Sequence, residues 1–338
     1  MSKTAVVILN WNGKAFLEKF IPNVLEHMPS GDVLFVADNG SEDGSADMLR
    51  ERWPSSVKLV LMDRNYGFTG GYNRAIGRIA EENPEVFDYY LLLNSDIEVT
   101  EGWLSELEAF MDRSPRCAVC APKILCYDRR GWFEHAGASG GFVDRWYFPY
   151  CRGRILASIE EDRGQYDTPC RVFWASGAAF MIRAGVWKAL GGLDESFFAH
   201  MEEIDLCWRA MLAGWEIWVD PAAAVYHVGG GTLPNNSPRK LYLNFRNNLL
   251  MMYKNLPPRS RARIIFARMC VDGAIACVYL LTGRFSFFKS VVSAHRDYRR
   301  MRRKVTVSVQ ECSVTRPKVS ILALAVRGFR YPSGKVGE

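Results

Sequence analysis

Polar side chains follow four short apolar runs in the first 100 residues, and they are the first sign of chemistry in the chain. Such runs are expected for strands that are buried on both faces of a parallel sheet. Ligands of these sheets bind beyond the carboxyl ends of the strands. Asp and Asn also favour turns and helix caps, so each residue alone has a structural explanation. As a set they predict a nucleotide site, and they are Asn10, Asp38, Arg64, Asn65, Asn94 and Asp96.

Asp96 is the most informative of these residues, because it comes just after the apolar run at 89–93. A hard cation that bridges two phosphates prefers carboxylate oxygen and leaves several ligand positions to substrate and water. His227 follows a strand-like run at 219–226 and precedes three glycines, which makes it a candidate second ligand. A lone histidine is more often structural, so the pattern by itself leaves the role of His227 open.

Two adjacent acids, Glu202 and Glu203, follow an aromatic segment and open a helical pattern. The helix dipole favours acids in a first turn, which is a sufficient structural explanation. A carboxylate held in an apolar mouth also has a raised pKa, because burial disfavours its charged form, and it can then act as a general base. Asp205 and Arg209 lie one helical turn apart and are explained as an ion pair without chemistry.

Glycine-rich phosphate loops of the dinucleotide-binding and P-loop types are absent from the sequence, which disfavours those oxidoreductases and ATPases. A different glycine run, at 67–71, precedes a helical pattern and includes Gly70. Its backbone N–H groups can approach a phosphate. The demands of a tight turn explain these glycines equally well.

Strand and helix patterns alternate over the first 120 residues, which predicts a mostly parallel sheet with helices on both sides. The segment at 126–170 is less regular and indicates a long, loop-bearing insertion that faces a ligand. Strands are predicted at 5–9, 33–37, 57–62, 89–93 and 219–226, and helices at 16–25, 45–50 with Ser45 as its cap, 72–80, 103–111 and 202–213.

The composition indicates a folded protein of a reducing compartment. Of the 338 residues, 49% are apolar, which is ample for a buried core. The nine cysteines are scattered and no secretory signal precedes them, so we expect free thiols. Cys117 and Cys120 form a CxxC, for which burial in a strand is a better explanation than a metal or redox site.

The net charge of +6 is concentrated in the last third, with basic clusters at 259–263 and 299–304. Such clusters suit anionic lipid headgroups or nucleic acid, and a solvated basic surface is an equally good explanation. The apolar stretch at 264–281 is interrupted by Arg268 and Asp272, so we expect it to lie on a membrane rather than to cross it.

Together these segments resemble the family 2 glycosyltransferases of the GT-A type, in particular the bacterial rhamnosyltransferase-like branch. The resemblance covers about residues 4–250 in family order. The matching segments are VVILNWNG at 6–13, VADNGSEDGS at 36–45, RNYGFTGGYNRAI at 64–76, LLLNSDIEV at 91–99, WASGAAFMIR at 174–183, GGLDESFFAHMEEIDLCWRA at 191–210 and YHVGGGT at 226–232.

The resemblance implies roles for individual residues. Asp38 is expected to hydrogen-bond the nucleotide base, with Asn10 and Asn65 in the same pocket and Gly70 close to the donor. Asp96 matches the last acid of the family's DxD motif, whose first acid is Asn94 here, and with His227 it is expected to bind Mg²⁺ or Mn²⁺. Glu203 is the expected catalytic base, with Glu202 as the alternative. The expected contacts to the sugar or the acceptor are Trp174, Ser176 and Gly177.

The resemblance also implies a domain plan and a function. A GT-A catalytic domain of the α/β class is expected at 1–255, with a nucleotide-binding half at 1–120 and an acceptor half at 121–255, and a basic, helical extension at 256–338. The expected activity is an inverting transfer of a sugar from a nucleotide-diphosphate donor to a hydroxyl of a saccharide or lipid-linked acceptor, in cell-envelope polysaccharide synthesis. The alternative is a non-catalytic relative that binds a sugar nucleotide or a polysaccharide.

The expected location is the cytoplasm, with peripheral association at the inner face of the plasma membrane. A third hypothesis makes the basic last third a nucleic-acid binder, because aromatic residues interleave with its basic clusters. No RNA- or DNA-binding motif occurs in the sequence, so we expect no nucleic-acid partner.

Overall fold

The computed structural model describes residues 2–84, 86–134, 137–156, 158–229 and 237–308, and the single residues Val314, Pro317, Ser320 and Ile321. The last glycines of the predicted run after His227, and most of the predicted extension beyond residue 308, lie outside these described residues. The described chain forms one large mixed sheet between helices and a second, smaller sheet.

The four predicted strands form the parallel half of the large sheet. They are β1 (Thr4–Asn10), β2 (Val33–Asp38), β3 (Val57–Leu61) and β4 (Tyr89–Asn94). β1 pairs in parallel with β2 on one side and with β4 on the other, and β3 pairs with β2. The register sets Asn10 beside Asp38 and Leu9 beside Asn94, so the polar strand ends meet at one edge of the sheet.

The other half of the sheet is mixed and brings a distant part of the chain to the same edge. The remaining strands are β5 (Ile97–Val99), β6 (Cys117–Cys126), β7 (Gly141–Val143), β8 (Pro149–Cys151), β9 (Arg154–Ile155), β10 (Ser158–Ile159), β11 (Cys170–Arg171), β12 (Ala179–Arg183) and β13 (Glu216–His227). Within the large sheet, β12 lies antiparallel between β4 and β6, and β13 runs parallel to β6. β5 pairs antiparallel with the end of β13, which sets His227 opposite Ile97, the residue that follows Asp96.

Pro221 lies inside β13, where it is tolerated because the strand is irregular there. Proline has no N–H to donate to a ladder. The pairing of β13 with β6 shifts register between Asp220 and Ala224, which spans this proline. The predicted strand is therefore confirmed, with an irregularity at its centre.

β7 to β10 form the smaller, antiparallel sheet. They lie in the segment at 126–170, for which the sequence predicts a loop-bearing insertion. That prediction is wrong for these four strands. Each is only two or three residues long, which is too short for an alternating pattern to be visible in the sequence.

Helices cover both faces of the large sheet, and alternate residues of β1 feed two separate cores. Val7 belongs to the cluster that includes Tyr72 of α3, whereas Val6 and Ile8 belong to the cluster that includes Leu104 of α4. The helices are α1 (Lys14–Glu26), α2 (Ser45–Arg52), α3 (Gly67–Glu82), α4 (Trp103–Arg113), α5 (Ala184–Leu190), α6 (Glu202–Leu212), α7 (Pro238–Asn255), α8 (Pro258–Leu281) and α9 (Phe285–Met301).

Two helices begin differently from the prediction. α3 begins at Gly67, so the glycine run lies within its first turns rather than before it. Gly71 has a packing reason, since a Cβ there would lie 2.7 Å from Leu9 Cδ1. Ser45 is the first helical residue of α2 and makes no capping bond, because Gly44 at φ 78° precedes the helix.

The cysteine prediction is confirmed for the described residues. Eight cysteines are described and all of them carry free thiols. Cys117 and Cys120 are both buried in β6, with the Cys117 thiol directed at Met111 Sδ. The CxxC pair is therefore part of the core.

The helices α7, α8 and α9 pack on one another, and α7 also packs against α6. The predicted domain boundary at 255 falls between α7 and α8, and that division remains a prediction. A buried ion pair joins these helices to the body of the protein. Arg268 Nε donates to Asp272 Oδ1 at 2.7 Å, and its Nη1 donates to Asn248 Oδ1 at 2.5 Å and to the Trp146 carbonyl at 2.8 Å.

Arg268→Leu is expected to lower the free energy of unfolding by about 3 kcal/mol, because it leaves Asp272 buried with a lost partner. Arg268→Leu/Asp272→Leu is expected to lose less, since no unpaired charge remains. Urea unfolding followed by circular dichroism measures both. Equal losses in the single and the double variant would contradict this account of the pair.

Candidate active site

The ends of β1 and β2 form a small polar pocket around Asp38. Asn10 Nδ2 donates to Asp38 Oδ2 at 3.0 Å and to Ser41 Oγ at 3.1 Å, and the backbone N–H of Ser41 donates to Asp38 Oδ1 at 2.9 Å. Asn10 and Asp38 are both buried, and Asn10 Oδ1 accepts no hydrogen bond from the described residues. Asn10 and Ser41 therefore fix the carboxylate of Asp38, which is an acceptor that can recognise the N–H edge of a nucleotide base.

Asn65 reaches this pocket only through Asn39. The side chain of Asn39 donates to Asn65 Oδ1 at 3.1 Å and accepts from the backbone N–H of Tyr66 at 2.9 Å. Asn65 Oδ1 also accepts from the N–H of Gly67 at 2.7 Å, so it is occupied in holding the start of α3. The sequence does not single out Asn39, although it directly follows Asp38. Its part in a nucleotide pocket for Asn65 stays a prediction.

Gly70 lies in the first turns of α3 beside an exposed ion pair. A Cβ at Gly70 would lie 3.0 Å from Arg74 Nη1 and 3.1 Å from Tyr66 Cβ. Arg74 Nη1 also donates to the Gly70 carbonyl and to Glu195 Oε1. This crowding disfavours a larger side chain at position 70. The contact of Gly70 with a nucleotide stays a prediction.

Asp96 and His227 meet because β5 pairs with β13. Asp96 Oδ1 lies 3.2 Å from His227 Nε2. The backbone continues this contact, since the N–H of Val228 donates to the Asp96 carbonyl at 3.1 Å and the N–H of Gly229 donates to Asp96 Oδ2 at 3.2 Å. The structure thus brings together the two predicted metal ligands.

Glu134 lies on the other side of His227, and the sequence gives no spacing signal for it. Its Oε2 is 3.6 Å from His227 Nδ1, which is an ion-pair distance rather than a hydrogen bond. All three side chains are buried. Burial lowers the pKa of His227, but the carboxylates of Asp96 and Glu134 outweigh it and raise that pKa to about 10. Burial likewise raises the pKa of Asp96, and contact with His227 outweighs it, so the net pKa is lowered.

This arrangement fits one divalent cation. Adjacent ligands of an octahedral ion with bonds of about 2.1 Å are about 3.0 Å apart, and Asp96 Oδ1 and His227 Nε2 are separated by 3.2 Å. Carboxylate oxygen and imidazole nitrogen are both donors that first-row divalent ions accept, provided that the imidazole is neutral. Among the described residues no group of three or more His, Cys, Asp and Glu side chains forms a closed metal site. Further ligands would therefore come from a diphosphate and water.

The loop before α6 carries backbone strain and is held by α7. Phe198, His200 and Met201 all have positive φ, at 67°, 68° and 74°. Such conformations in non-glycine residues persist only where the surroundings enforce them. Asn247 of α7 enforces them here, since its Nδ2 donates to the carbonyls of Phe197 at 3.0 Å, Ala199 at 2.8 Å and His200 at 2.7 Å. The loop fixes where α6 begins.

Glu202 and Glu203 open α6 in different surroundings. Glu202 is 4% exposed, and burial together with the neighbouring charge of Glu203 raises its pKa. Glu203 keeps partial exposure. Burial raises the pKa of Glu203 to about 7, while backbone N–H groups of the first turn oppose the rise. Glu203 Oε2 is buried without a hydrogen-bond partner among the described residues. A carboxyl with a pKa near 7 in a partly exposed residue is suited to a general base, whereas Glu202 is buried.

Asp205, also in the first turn of α6, has a structural role, as its spacing from Arg209 predicts. It is buried and accepts hydrogen bonds from Arg209 Nε at 2.8 Å, Lys254 Nζ at 2.7 Å and Asn255 Nδ2 at 2.8 Å. Lys254 and Asn255 belong to α7. This second attachment of α6 to α7 explains why α6 keeps its position beneath the strained loop.

A short series of contacts connects Glu203 with the pair at His227. A Cβ at Gly177 would lie 3.9 Å from Glu203 Cβ. The next carbonyl, of Ala178, accepts from the Asn94 N–H at 2.9 Å, and Asn94 Nδ2 lies 3.4 Å from His227 Nε2. The predicted base and the predicted metal ligands therefore lie along one edge of the sheet.

Cys151 gives a second indication of the same proximity. Burial raises the pKa of its thiol, and the charges of Glu134 and Glu203 both raise it further. The Cys151 thiol is therefore close enough to both carboxylates for their charges to raise its pKa. Glu134 belongs to the predicted metal end of the site and Glu203 to the predicted base.

The three predicted sugar or acceptor contacts are placed differently from one another. Trp174 is buried and its Nε1 donates to the Phe142 carbonyl at 2.9 Å, so its indole holds the smaller sheet. Ser176 is buried and its Oγ accepts from the Ala178 N–H at 3.2 Å. Gly177 lies beside Glu203. Of the three, Gly177 borders the predicted base most closely, and all three roles stay predictions.

A cavity of ≈ 580 Å³ opens at the opposite edge of the sheet. Its polar lining is already paired within the protein. Asp112 accepts from Tyr89 Oη at 2.6 Å, and Arg183 donates to the carbonyls of Cys117 and Met111, both at 2.7 Å. The cavity has no connection with the residues singled out from the sequence.

Comparison with known proteins identifies the same type of enzyme. The model of the family described as Glycosyl transferase family 2 matches residues 5–187. The N-acetylglucosaminyl-diphospho-decaprenol L-rhamnosyltransferase of Mycobacterium tuberculosis is 28% identical over an alignment of 242 residues, and the alignment covers 66% of this chain and 75% of the relative.

Solved structures share the fold. A mannosyltransferase from Pyrobaculum calidifontis, in complex with GDP-Man and Mn²⁺, superposes with a TM-score of 0.54 at 11% identity, over 88% of this chain and 87% of that one. GalNAc-T7 with UDP, GalNAc and Mn²⁺ has a TM-score of 0.55 at 18% identity, over 75% of this chain and 48% of that one. The predicted α/β fold of the GT-A type is therefore confirmed.

Glu134→Gln is expected to lower the pKa of His227, because it removes one of the two carboxylates that stabilise the imidazolium. Nitrogen-detected NMR of the His227 ring over pH 6 to 11, without divalent metal, measures the shift. Glu98→Gln is the control, since Glu98 lies in β5 and pairs with the exposed Arg130. An unchanged His227 titration in Glu134→Gln would remove Glu134 from this role.

Proposed function

The chain belongs to glycosyl transferase family 2, and we propose that it transfers a sugar from a nucleoside-diphosphate donor to a hydroxyl group, with Glu203 as the base and Asp96 and His227 at the diphosphate. One observation carries the proposal. A carboxyl group with a pKa raised to about 7 lies on the same sheet edge as a carboxylate and a histidine that suit a divalent cation. Donor activation and proton removal then occur in one cleft.

The nucleotide would bind at the ends of β1 and β2. The Asp38 carboxylate, oriented by Asn10 and Ser41, would accept hydrogen bonds from the base. From there the diphosphate would extend toward Asp96, because β1 and β4 are neighbours in the sheet. The donor thus follows the carboxyl edge of the parallel strands.

Asp96 and His227 would hold a divalent ion against the diphosphate. When bound, such an ion supplies charge neutralisation for the departing nucleoside diphosphate. Asp96 is kept ionised by the surrounding hydrogen bonds, and His227 is oriented by Glu134 on its far side. A carboxylate behind a metal-binding imidazole is a common way to fix the ring and strengthen the ligand.

Glu203 would remove the proton from the acceptor hydroxyl as that oxygen attacks the anomeric carbon. In a single displacement the acceptor attacks from the face opposite the leaving group, so the configuration inverts. Apolar burial and the first-turn N–H groups of α6 together poise the carboxyl near neutral pH. Burial and the neighbouring charge of Glu203 raise the pKa of Glu202, and its burial would keep it away from the acceptor hydroxyl.

The acceptor would be a saccharide or a lipid-linked saccharide used in cell-envelope polysaccharide assembly. The name of the mycobacterial relative, which includes a decaprenol-linked acceptor, supports this class of substrate. A cytoplasmic enzyme at the inner membrane face would meet such an acceptor. Transfer to a lipid-linked saccharide rather than to a free one is the measurement that separates these acceptors.

Glu203→Gln is expected to lower transfer by about 10²-fold or more, because it removes the proton acceptor, and to leave donor affinity within about twofold. The matched control Glu202→Gln is expected to lose much less. Transfer rates with a radiolabelled nucleotide sugar, and donor binding by calorimetry, measure the two effects. Parent-like turnover in Glu203→Gln would contradict the assignment.

The kcat/KM of the parent is expected to rise with pH through an inflection near 7. Glu203 must be ionised to accept a proton, and its raised pKa delays ionisation from the usual acidic range to about 7. A profile over pH 5.5 to 8.5 under subsaturating acceptor measures this. A flat profile across that range would show that another group accepts the proton.

Asp96→Asn is expected to remove most of the thermal stabilisation that a nucleoside diphosphate gives in the presence of Mn²⁺. The stabilisation requires a divalent ion, so EDTA should have the same effect on the parent. Asp63→Asn is the control, because Asp63 is a fully exposed carboxylate. Full Mn²⁺-dependent stabilisation of Asp96→Asn by UDP, GDP and dTDP would argue against a metal role for Asp96.

A further inference from the structure

α8 buries an ion pair on its inner side and exposes many apolar residues, whereas an ordinary surface helix buries its apolar side. The exposed Arg259 and Arg263 lie near the start of the helix. From Phe266 onward, at 3.6 residues per turn, six of its seven exposed residues fall within an arc of about 120°. Three of them are large and strongly exposed: Phe266 at 71%, Val278 at 57% and Leu281 at 86%. The outer face of α8 comprises Phe266, Cys270, Ala274, Cys277, Val278 and Leu281.

The inner side of α8 is committed to the protein. Arg268 and Asp272 lie opposite the outer face and are both buried as an ion pair. Asp272 Oδ2 also lies 3.2 Å from His295 Nε2 of α9, and the Arg268 guanidinium lies over the Phe148 ring. These contacts prevent α8 from rotating about its axis, because a rotation would expose an ion pair and separate it. The apolar face is therefore held toward solvent.

α8, α9 and the residues next to them are rich in basic side chains. The segment at 256–304 contains twelve Lys and Arg residues and two Asp residues. Of the two acids, Asp272 is buried, and Asp297 is engaged by Tyr242 Oη at 2.9 Å and by Arg296 Nε at 3.4 Å. The exposed charge of these two helices is thus almost entirely positive, with exposed apolar residues also at Phe285 and Val292 of α9.

We propose that the outer face of α8 docks on an anionic lipid bilayer. Phe266, Val278 and Leu281 enter the boundary between headgroups and acyl chains, and the basic residues of α8 and α9 contact the lipid phosphates. An apolar stripe with flanking cations is the pattern of helices that lie in a membrane interface. The proposal deepens the proposed function, on which it rests for its purpose, since docking would bring the active site to a lipid-linked acceptor.

Lying on the membrane fits the structure better than crossing it. By length and composition alone, α8 is the one described helix that could span a bilayer. A spanning α8 would have to leave α7 and α9 and carry the Arg268–Asp272 pair into hydrocarbon, where charges are costly. A helix that lies flat keeps this pair within the protein and still covers its apolar face.

α7 connects the docking face to the active site. Asn248 of α7 accepts the hydrogen bond from Arg268 of α8 at 2.5 Å. Its neighbour Asn247 holds the strained loop before Glu203. The membrane surface and the catalytic carboxyl are therefore positioned by adjacent residues of a single helix, so docking sets the distance of Glu203 from the bilayer.

Vesicle flotation with the full chain tests the proposal. The parent is expected to float with vesicles of phosphatidylglycerol and phosphatidylcholine, and to float at least about tenfold less with phosphatidylcholine alone or in 1 M salt. Val278→Asp/Leu281→Asp is expected to reduce flotation at least about tenfold. The matched control is Val86→Asp, because Val86 is an exposed valine of a loop between α3 and β4, and it should float like the parent.

Two further measurements keep the outcomes distinct. Stabilisation of the double variant by a nucleoside diphosphate with Mn²⁺ should equal that of the parent, which shows that it is folded and that the donor site is independent. Failure of Asp96→Asn to lose that stabilisation would contradict the proposed metal role of Asp96 while leaving docking intact, and parent-like transfer by Glu203→Gln would contradict the proposed base in the same way. Sedimentation without lipid should show a monomer, and a dimer that the double variant dissociates would assign the face to a second copy and overturn the proposal. Flotation of the double variant equal to that of the parent would overturn it as well.

Discussion

The pairing of β5 with β13 is the constraint on which the candidate active site depends. β5 begins one residue after Asp96, and β13 ends at His227, so their antiparallel register brings these two side chains into contact. Their contact is buried, and the local dielectric is therefore low enough for each charge to alter the other's pKa strongly. Glu134 completes the arrangement from the smaller-sheet side. The outcome is a carboxylate with a lowered pKa beside an imidazole, at the polar edge of the sheet.

α7 performs the corresponding task for the second reacting group. Asn247 donates to three carbonyl groups of the strained loop, and Lys254 and Asn255 donate to Asp205 in the first turn of α6. Glu203, the proposed base, is thereby placed by a helix that precedes the predicted basic extension in the sequence. The same helix carries Asn248, which receives α8. The carboxy-terminal helices thus help to fix the position of α6, although none of their residues lies among the predicted catalytic groups.

Much of this arrangement can be predicted from the sequence, and the parts that cannot share a physical reason. β1 to β4 are long, apolar and buried on both faces, so their positions and polar ends are evident. Glu202 and Glu203 stand out because two acids follow an aromatic segment. By contrast, β7 to β10 are too short to show a period, and Glu134 lies in that segment with no spacing signal. The sequence places the glycine run at 67–71 before α3, as a turn, whereas in the structure this run lies inside α3 and Gly71 packs closely on Leu9. The exposed side of α8 also cannot be predicted from the sequence, since only tertiary contacts show which side of a helix is buried.

The most direct test of the account is a crystal structure of the protein with a nucleoside diphosphate and Mn²⁺. The account predicts that the base of the nucleotide contacts Asp38, that the ion is bound by Asp96 Oδ1 and His227 Nε2 together with diphosphate oxygens, and that the carboxylate of Glu203 faces the open side of the same cleft. A diphosphate bound away from Asp96, or a Glu203 carboxylate separated from it by the body of the sheet, would contradict the account.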